Sequence, residues 1–291
     1  MALFYNIAGH VLEITGVEPG YIPGFSPFLL EPTISYKPLI SVRLGQQVLN
    51  PVSNPLYQFS IEEGTCQFMK NNDSYFVRWS QTGGMNWLME IKHQEDEFVV
   101  VSDMNQRTDI HILRFSIWIA FGIAALFRQT VAVHASTLMY CRRSILFLGE
   151  SGTGKSTQSR LWREHFENTE LLNDDSPFIV IEKNGDSVVW GSPWSGKTAC
   201  YKNKHTSIVA LVRLRQAPFN SIRRLRTIEA IGALQPSLPP IFATEPVLIN
   251  LMDECMSDIL GQVPVYIMDC LPNKEAVELL YNTLSKGGRL C

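Results

Sequence analysis

"SILFLGESGTGKST", residues 144–157, decides how the rest of the chain is read. "SILFL" is an apolar run of strand length, and the loop after it fits GxxxxGK[ST] without mismatch at Gly149, Gly154, Lys155 and Ser156. Glycines at this spacing let a backbone curl until its N–H groups point inward at phosphate oxygens. The amphipathic stretch "STQSRLWREHFE" (156–167) then starts a helix, whose N-terminal end adds positive potential to the same place. In such a loop the lysine reaches the β- and γ-phosphates and the hydroxyl of Ser156 coordinates magnesium.

Three neighbouring stretches sharpen the reading. "LLNDDSPFIV" (171–180) puts Asp174 only nineteen positions after Lys155, with Asp175 beside it. Two adjacent carboxylates suit two jobs: one holds magnesium, and the other orients or deprotonates an attacking hydroxyl. Like charges this close titrate as a pair, so the sequence leaves open which does which. The plainer alternative is an Asx-turn or helix cap before Pro177. Upstream, "VAVHASTLMYCRRSILFLG" (131–149) reads as strand, strand, tight basic turn, strand, and brings His134 towards the loop. A histidine there serves the fold, contacts phosphate or shuttles a proton. Downstream, "VVWGSPWSGKTACY" (188–201) offers a glycine-containing turn with Lys197. It reads equally as a turn closing a hairpin or as a lysine facing a triphosphate.

Residues 1–108 differ in kind. Short strand-like runs ("HVLEIT", "LISVRLG", "YQFSIE", "TCQFMKN", "SYFVRWS", "NWLMEIK", "EFVVVSD") alternate with polar or glycine turns, as in an antiparallel β layer. No catalytic set is visible in it; Asp73, Glu90 and Asp96 read as turn or solvated-face residues. The apolar segment "FSIWIAFGIAALF" (115–127) is thirteen residues long between two arginines, short of the roughly 20 a membrane span needs. It reads as a buried helix over about 109–129 that joins the two parts.

Across all 291 residues, 45% are hydrophobic and 18% charged, with a net charge of −3, which gives no sign of a nucleic-acid or membrane partner. The six cysteines (Cys66, Cys141, Cys200, Cys255, Cys270, Cys291) show no metal or disulfide spacing, so reduced thiols and a cytoplasmic location are expected. The N-terminus carries no signal-peptide pattern.

Together, His134-Ala135-Ser136, the 149–157 loop and Asn173-Asp174-Asp175 resemble the catalytic domain of HPr kinase/phosphorylase. The same core recurs in ATP-dependent phosphoenolpyruvate carboxykinase. "GSPWSGK" (191–197), "IVALVRLRQA" (208–217) and "VPVYIMDCLPNKEAVELL" (263–280) look most like shorter HPr-kinase-like proteins found with peptide-modifying clusters. The resemblance covers about 130–285; "GSPWSGK" replaces the glycine- and arginine-containing signature that follows the acidic pair in true HPr kinases. It implies, over 109–291, a P-loop α/β core that binds nucleotide; with the β-rich accessory domain that the strand runs place over 1–108, the expected fold class is α+β. It further implies that Gly149, Glu150, Ser151, Gly152, Thr153, Gly154, Lys155, Ser156 and Thr157 bind ATP; Lys197, from its place in the downstream turn, is the further expected nucleotide contact. Ser156 and one of Asp174 and Asp175 would hold Mg2+, the other aspartate would serve the acceptor hydroxyl, and His134 would join the site.

The activity so implied is phosphotransfer from ATP to a serine- or threonine-type hydroxyl of a protein or peptide, by a homo-oligomer. The alternatives are a small-molecule kinase or carboxykinase-like enzyme, and a non-catalytic nucleotide-binding regulator. Arg213, Arg215, Arg223, Arg224 and Arg226 are the candidate acceptor-side cations.

Overall fold

The computed structural model describes residues 1–32, 34–51, 53–196, 198–288 and 290. It is a mixed α and β structure with two large sheets, and the chain divides into two compact units. The first comprises 1–128 and 241–249, and the second 129–240 and 250–291.

The first unit is an eight-stranded sheet in the order β1-β2-β3-β8-β7-β6-β5-β4. Its strands are β1 (Ala2–Ile7), β2 (His10–Thr15), β3 (Ile40–Arg43), β4 (Tyr57–Ile61), β5 (Gly64–Asn71), β6 (Ser74–Gln81), β7 (Asn86–Gln94) and β8 (Glu97–Ser102). The expected strands all form, and "ALFYNI" adds β1, paired to β2 through a turn with Ala8 and Gly9 at positive φ. The sheet is not wholly antiparallel: β3 lies between β2 and β8 and is parallel to both. The long connection 16–39 makes this possible, because a parallel return needs a crossover of a dozen or more residues.

Helix α1 (Ile110–Leu126) belongs to this unit rather than to the second, and it ends three residues short of the expected 129. Asp109 caps it, accepting from the backbone N–H of His111 at 2.8 Å. Phe115 on α1 meets Phe59 and Trp79 edge-on, at centroid distances of 5.4 and 6.1 Å. Residues 241–249 complete the unit. Phe242 stacks on Trp118 and lies so close to α1 that a Cβ on Gly122 would meet its ring at 2.9 Å. Glu245, almost fully buried, accepts from Lys70 Nζ at 2.7 Å, Tyr75 Oη at 3.3 Å and Leu248 N at 3.0 Å.

The second unit holds a nine-stranded sheet. Its elements are β9 (Thr130–Ala132), β10 (Ala135–Tyr140), β11 (Arg143–Leu148), α2 (Lys155–His165), β12 (Thr169–Asp175), β13 (Phe178–Ile181), β14 (Ser187–Trp190), β15 (His205–Gln216), β16 (Ser221–Arg224), α3 (Thr227–Leu234), α4 (Pro246–Gln262, shared at its start with the first unit), β17 (Val265–Cys270) and α5 (Lys274–Lys286). The basic turn between β10 and β11 has Cys141 and Arg142 both at positive φ, the two-residue geometry whose twist matches a hairpin. Phe147, Leu161, Trp162, Val277 and Leu280 are buried in one cluster, joining the sheet to α2 and α5.

The thiol expectation is corrected at one position: Cys141 is disulfide-bonded, whereas Cys66, Cys200, Cys255 and Cys270 are free and buried. Among the described residues no helix is long and apolar enough to cross a membrane.

The approach of Phe242 to α1 gives a direct test of the first unit's packing. Gly122→Leu drives a side chain into that ring, and overpacking of this kind costs about 1–3 kcal/mol. We expect a clear fall in the thermal unfolding midpoint, while Leu at the exposed His111 position of the same helix leaves it within a degree or two.

Candidate active site

Strand direction assembles the site. β10 pairs antiparallel with β11 on one side and with β12 on the other, and Ala135 stands opposite both Leu148 and Asp175. The C-terminal ends of β11 and β12 and the N-terminal end of β10 therefore share one sheet edge. β15 and β17, parallel to β11, end at the same edge. This is where open α/β sheets take ligands, outside the carboxyl ends of their strands.

The loop from Gly149 to Gly154 leaves β11 at that edge and turns into α2. Gly149, Gly152 and Gly154 have φ of 142°, 85° and 102°, a region that favours glycine. A Cβ on Gly149 would meet Thr153 Oγ1 at 2.6 Å, whereas one on Gly152 or Gly154 would meet nothing within 4 Å. The first glycine is thus needed for space as well as for φ, the other two for φ alone. Thr153 Oγ1 donates to Glu150 O at 2.8 Å, closing the curl, and Ser151 is an exposed loop position. Lys155 lies across the loop mouth, its Nζ donating to Gly149 O at 2.7 Å and Glu150 O at 3.1 Å. Burial lowers the pKa of this ammonium, opposed by the charges of Asp175 and Asp174 and reinforced by that of Arg213.

The acidic pair is brought to the loop but divided between two sets of contacts. Ser156 Oγ donates to the carboxylate of Asp174, at 3.2 and 3.3 Å to its two oxygens. Asp175 Oδ1 lies 3.1 Å from His134 Nδ1, and the other ring nitrogen, Nε2, is 3.1 Å from Lys155 Nζ. Asp174 is buried, 7% exposed, whereas Asp175 and His134 are about half exposed. His134 is therefore a bridge between Asp175 and the loop lysine.

Asp175 has φ +149°, outside the regions an L residue ordinarily adopts. The "GSPWSG" segment holds it there. Gly196 N donates to Asp174 O at 2.6 Å, Ser195 bridges Asp175, and a Cβ on Gly196 would meet Asp175 Cβ at 3.2 Å. Beneath them the fully buried Asn173 anchors the segment: its amide nitrogen donates to Trp194 O at 3.0 Å and Ser192 O at 3.3 Å, and its oxygen accepts from Ser176 N. The sequence offers Asn173 only as part of the stretch that carries the family resemblance, and gives neither its anchoring role nor the segment's grip on the pair. Lys197, the expected nucleotide contact in this segment, lies outside the described residues.

Of the candidate acceptor-side arginines, Arg213 alone reaches the loop. It is 17% exposed at the end of β15, donates to Ala233 O at 3.2 Å and stands 3.9 Å from Glu150 Oε1. Arg215 makes a two-pronged pair with Asp269 at 2.7 and 2.9 Å, Arg223 pairs with Glu229 at 2.8 Å, and Arg226 sits at the N-cap of α3, where its backbone N–H donates to Glu229 at 3.1 Å. Arg224 is exposed on β16.

The donor set fits a magnesium ion completed by phosphate. Among the described residues no group of three or more His, Cys, Asp or Glu side chains is arranged to hold a metal. A hydroxyl beside a carboxylate is instead the partial, all-oxygen set that magnesium uses when phosphate oxygens and water supply the rest.

No protein-family model matches the sequence, and comparison with curated proteins gives no match either. Among solved structures the chain is similar to the Hpr(Ser) kinase/phosphatase from Coxiella burnetii, with 14% identity over 54% of this chain and 95% of that one and a TM-score of 0.30. At that TM-score the likeness establishes neither fold nor activity.

The strain at Asp175 makes a separable prediction. A residue forced into such a φ costs about 1–3 kcal/mol, against roughly 0.5–1 kcal/mol of backbone entropy for glycine. The exposed pair with His134 is worth about 1 kcal/mol or less. Asp175→Gly is therefore expected to melt at the wild-type temperature or above it. A midpoint several degrees lower refutes the strain assignment.

Proposed function

We propose that the chain is an ATP-dependent phosphotransferase that moves the γ-phosphate to a serine- or threonine-type hydroxyl of a protein or peptide. The observation that carries this reading is the division of the acidic pair, with Asp174 on the loop's Ser156 and Asp175 on His134.

Each residue then has a distinct task. The backbone N–H groups of the loop and the start of α2 bind the triphosphate, and Lys155, already beside the loop carbonyls, orients its terminal phosphate. Ser156 and Asp174 would hold Mg2+, which neutralises charge on the phosphate oxygens. Asp175 accepts the proton of the incoming hydroxyl as that oxygen bonds to the γ-phosphorus and the bond from this phosphorus to the β–γ bridging oxygen breaks, ADP leaving. His134, between Asp175 and Lys155, orients that carboxylate beside the phosphate end of the site. Arg213 adds positive charge at the loop. A regulator that only sensed nucleotide would gain nothing from a second carboxylate held in a strained conformation, which favours transfer over sensing.

The acceptor is assigned to a protein or peptide on the sequence resemblance, and free serine is the competing acceptor. The test is transfer from γ-labelled ATP to serine-containing peptides encoded beside the gene, with free serine in parallel. Label on a peptide is the expected result; efficient turnover of serine with every peptide unlabelled assigns the enzyme to small molecules.

Variants assign the roles. Lys155→Ala removes a charged hydrogen bond worth about 1.5–3 kcal/mol, so calorimetry should show ATP affinity reduced by about 10- to 150-fold. Equal affinity in both proteins contradicts the phosphate site. Asp175→Asn should lower the transfer rate by about 10²–10⁴-fold with ATP affinity kept. Asp174→Asn should instead raise the magnesium concentration needed for half-maximal rate. Full transfer by the double variant dismisses the pair as structural.

A further inference from the structure

Helix α3 runs between the acidic-pair corner of the second unit and a surface pocket at its own start. At its C-terminal end Ala233 O accepts from Arg213 at 3.2 Å. Ser237 O, in the turn Gln235–Ser237 that follows, accepts from the backbone N–H of His134 at 2.7 Å. At the N-terminal end lies a cavity of about 600 Å3 lined by Arg223, Arg226, Thr227, Ile228 and Glu229. From Ile228 to Ser237 the chain is helical and covers no more than about 15 Å. An extended peptide spans that length in about five residues.

The pocket combines positive charge with apolar surface. All five lining residues are exposed. Ile228 is 85% exposed, more than any other large apolar side chain described in the second unit. The fold makes no use of it, because the residues that α3 buries are Ala230, Ala233 and Leu234. Arg223 is paired with Glu229, while Arg226 forms no ion pair among the described residues. One cation therefore stands in excess beside the isoleucine.

We propose that this pocket docks a segment of the acceptor polypeptide that carries acidic residues and an apolar side chain, about five residues from the hydroxyl that is phosphorylated. The proposal deepens the phosphotransferase reading and rests on it. Arginines recognise acidic motifs through charge-assisted hydrogen bonds, and Ile228 offers the apolar side chain a contact beside them. A peptide held at the start of α3 has its hydroxyl within reach of His134 and Asp175 at the other end. Docking adds nothing to the chemical step. It raises the effective concentration of the hydroxyl at the site, so it acts on KM.

The test uses the full chain with Mg2+, γ-labelled ATP and synthetic peptides. In these a serine is joined through five glycines to Leu-Glu-Glu or to Leu-Lys-Lys, in both chain directions. Fluorescence anisotropy reads binding without ATP, and label reads transfer. In one direction the acidic peptide is expected to show a KM at least about fivefold below that of its lysine counterpart, an advantage that shrinks with added salt. Arg226→Glu should reverse the order of the two peptides with ATP affinity kept, since an acid suits a helix N-terminus and leaves the fold intact. If that variant loses ATP binding, Ile228→Glu takes its place and should abolish the acidic preference. Arg142→Asp, an equal charge change in the turn at the opposite end of β11, should leave the preference as in wild type; Asp tolerates the positive φ found there. Equal KM for acidic and lysine peptides in both directions overturns the proposal. So does an acidic preference that survives at the pocket variant, or one that Arg142→Asp abolishes. Acidic peptide that binds while every peptide stays unlabelled instead overturns the phosphotransferase reading, and the assignment of the pocket to an acceptor falls with it.

Discussion

The site depends on the register of β10, the strand wedged between β11 and β12. Because Ala135 pairs with Leu148 on one side and Asp175 on the other, the residue before it, His134, comes level with the first glycine of the loop and one position beyond the second aspartate, where its ring reaches that carboxylate. A slip by one residue would send alternate side chains to the opposite face. Several contacts pin the register. The Cys141–Arg142 turn sets it against β11, a hydroxyl contact of 2.8 Å between Ser136 and Ser159 ties β10 to α2, and Thr137 stands opposite Asn173, the anchor of the "GSPWSG" segment.

That segment explains how a strained aspartate persists. Asn173 makes its hydrogen bonds where no water competes, and a buried amide left unpaired costs about 1–3 kcal/mol. Withdrawing the segment would orphan that amide, so relaxing Asp175 is opposed by a loss of similar size. Strain of this kind points to function when the surroundings over-determine it, and here a Cβ on Gly149 would meet Thr153 at 2.6 Å and one on Gly196 would crowd Asp174 and Asp175 at 3.1 and 3.2 Å.

Much of this was legible in the sequence where the signal was local. The loop, the hairpin before it and the acidic pair are contiguous motifs, and a contiguous motif carries its own geometry. The strands of 1–108 and the buried helix were likewise visible from periodicity. What escaped reading is set by partners distant in the chain. The parallel insertion of β3 depends on which strand it meets after a long connection. Helix α1 packs in the first unit on Phe59 and Trp79 and on Phe242, more than a hundred residues away. Arg213 could not be told from Arg215 by spacing, because only the fold supplies Asp269 to one and the loop to the other.

The central claim is that Ser156 and Asp174 share a metal ion bound to the phosphates of a nucleotide held by the loop. A crystal structure with Mn2+ and a non-hydrolysable nucleoside triphosphate tests it most directly, since manganese gives an anomalous signal. The account predicts one strong peak about 2 Å from both Ser156 Oγ and an Asp174 carboxylate oxygen, with the terminal phosphate within reach of Lys155 and His134. A nucleotide bound elsewhere, or a metal peak remote from Ser156, would contradict it.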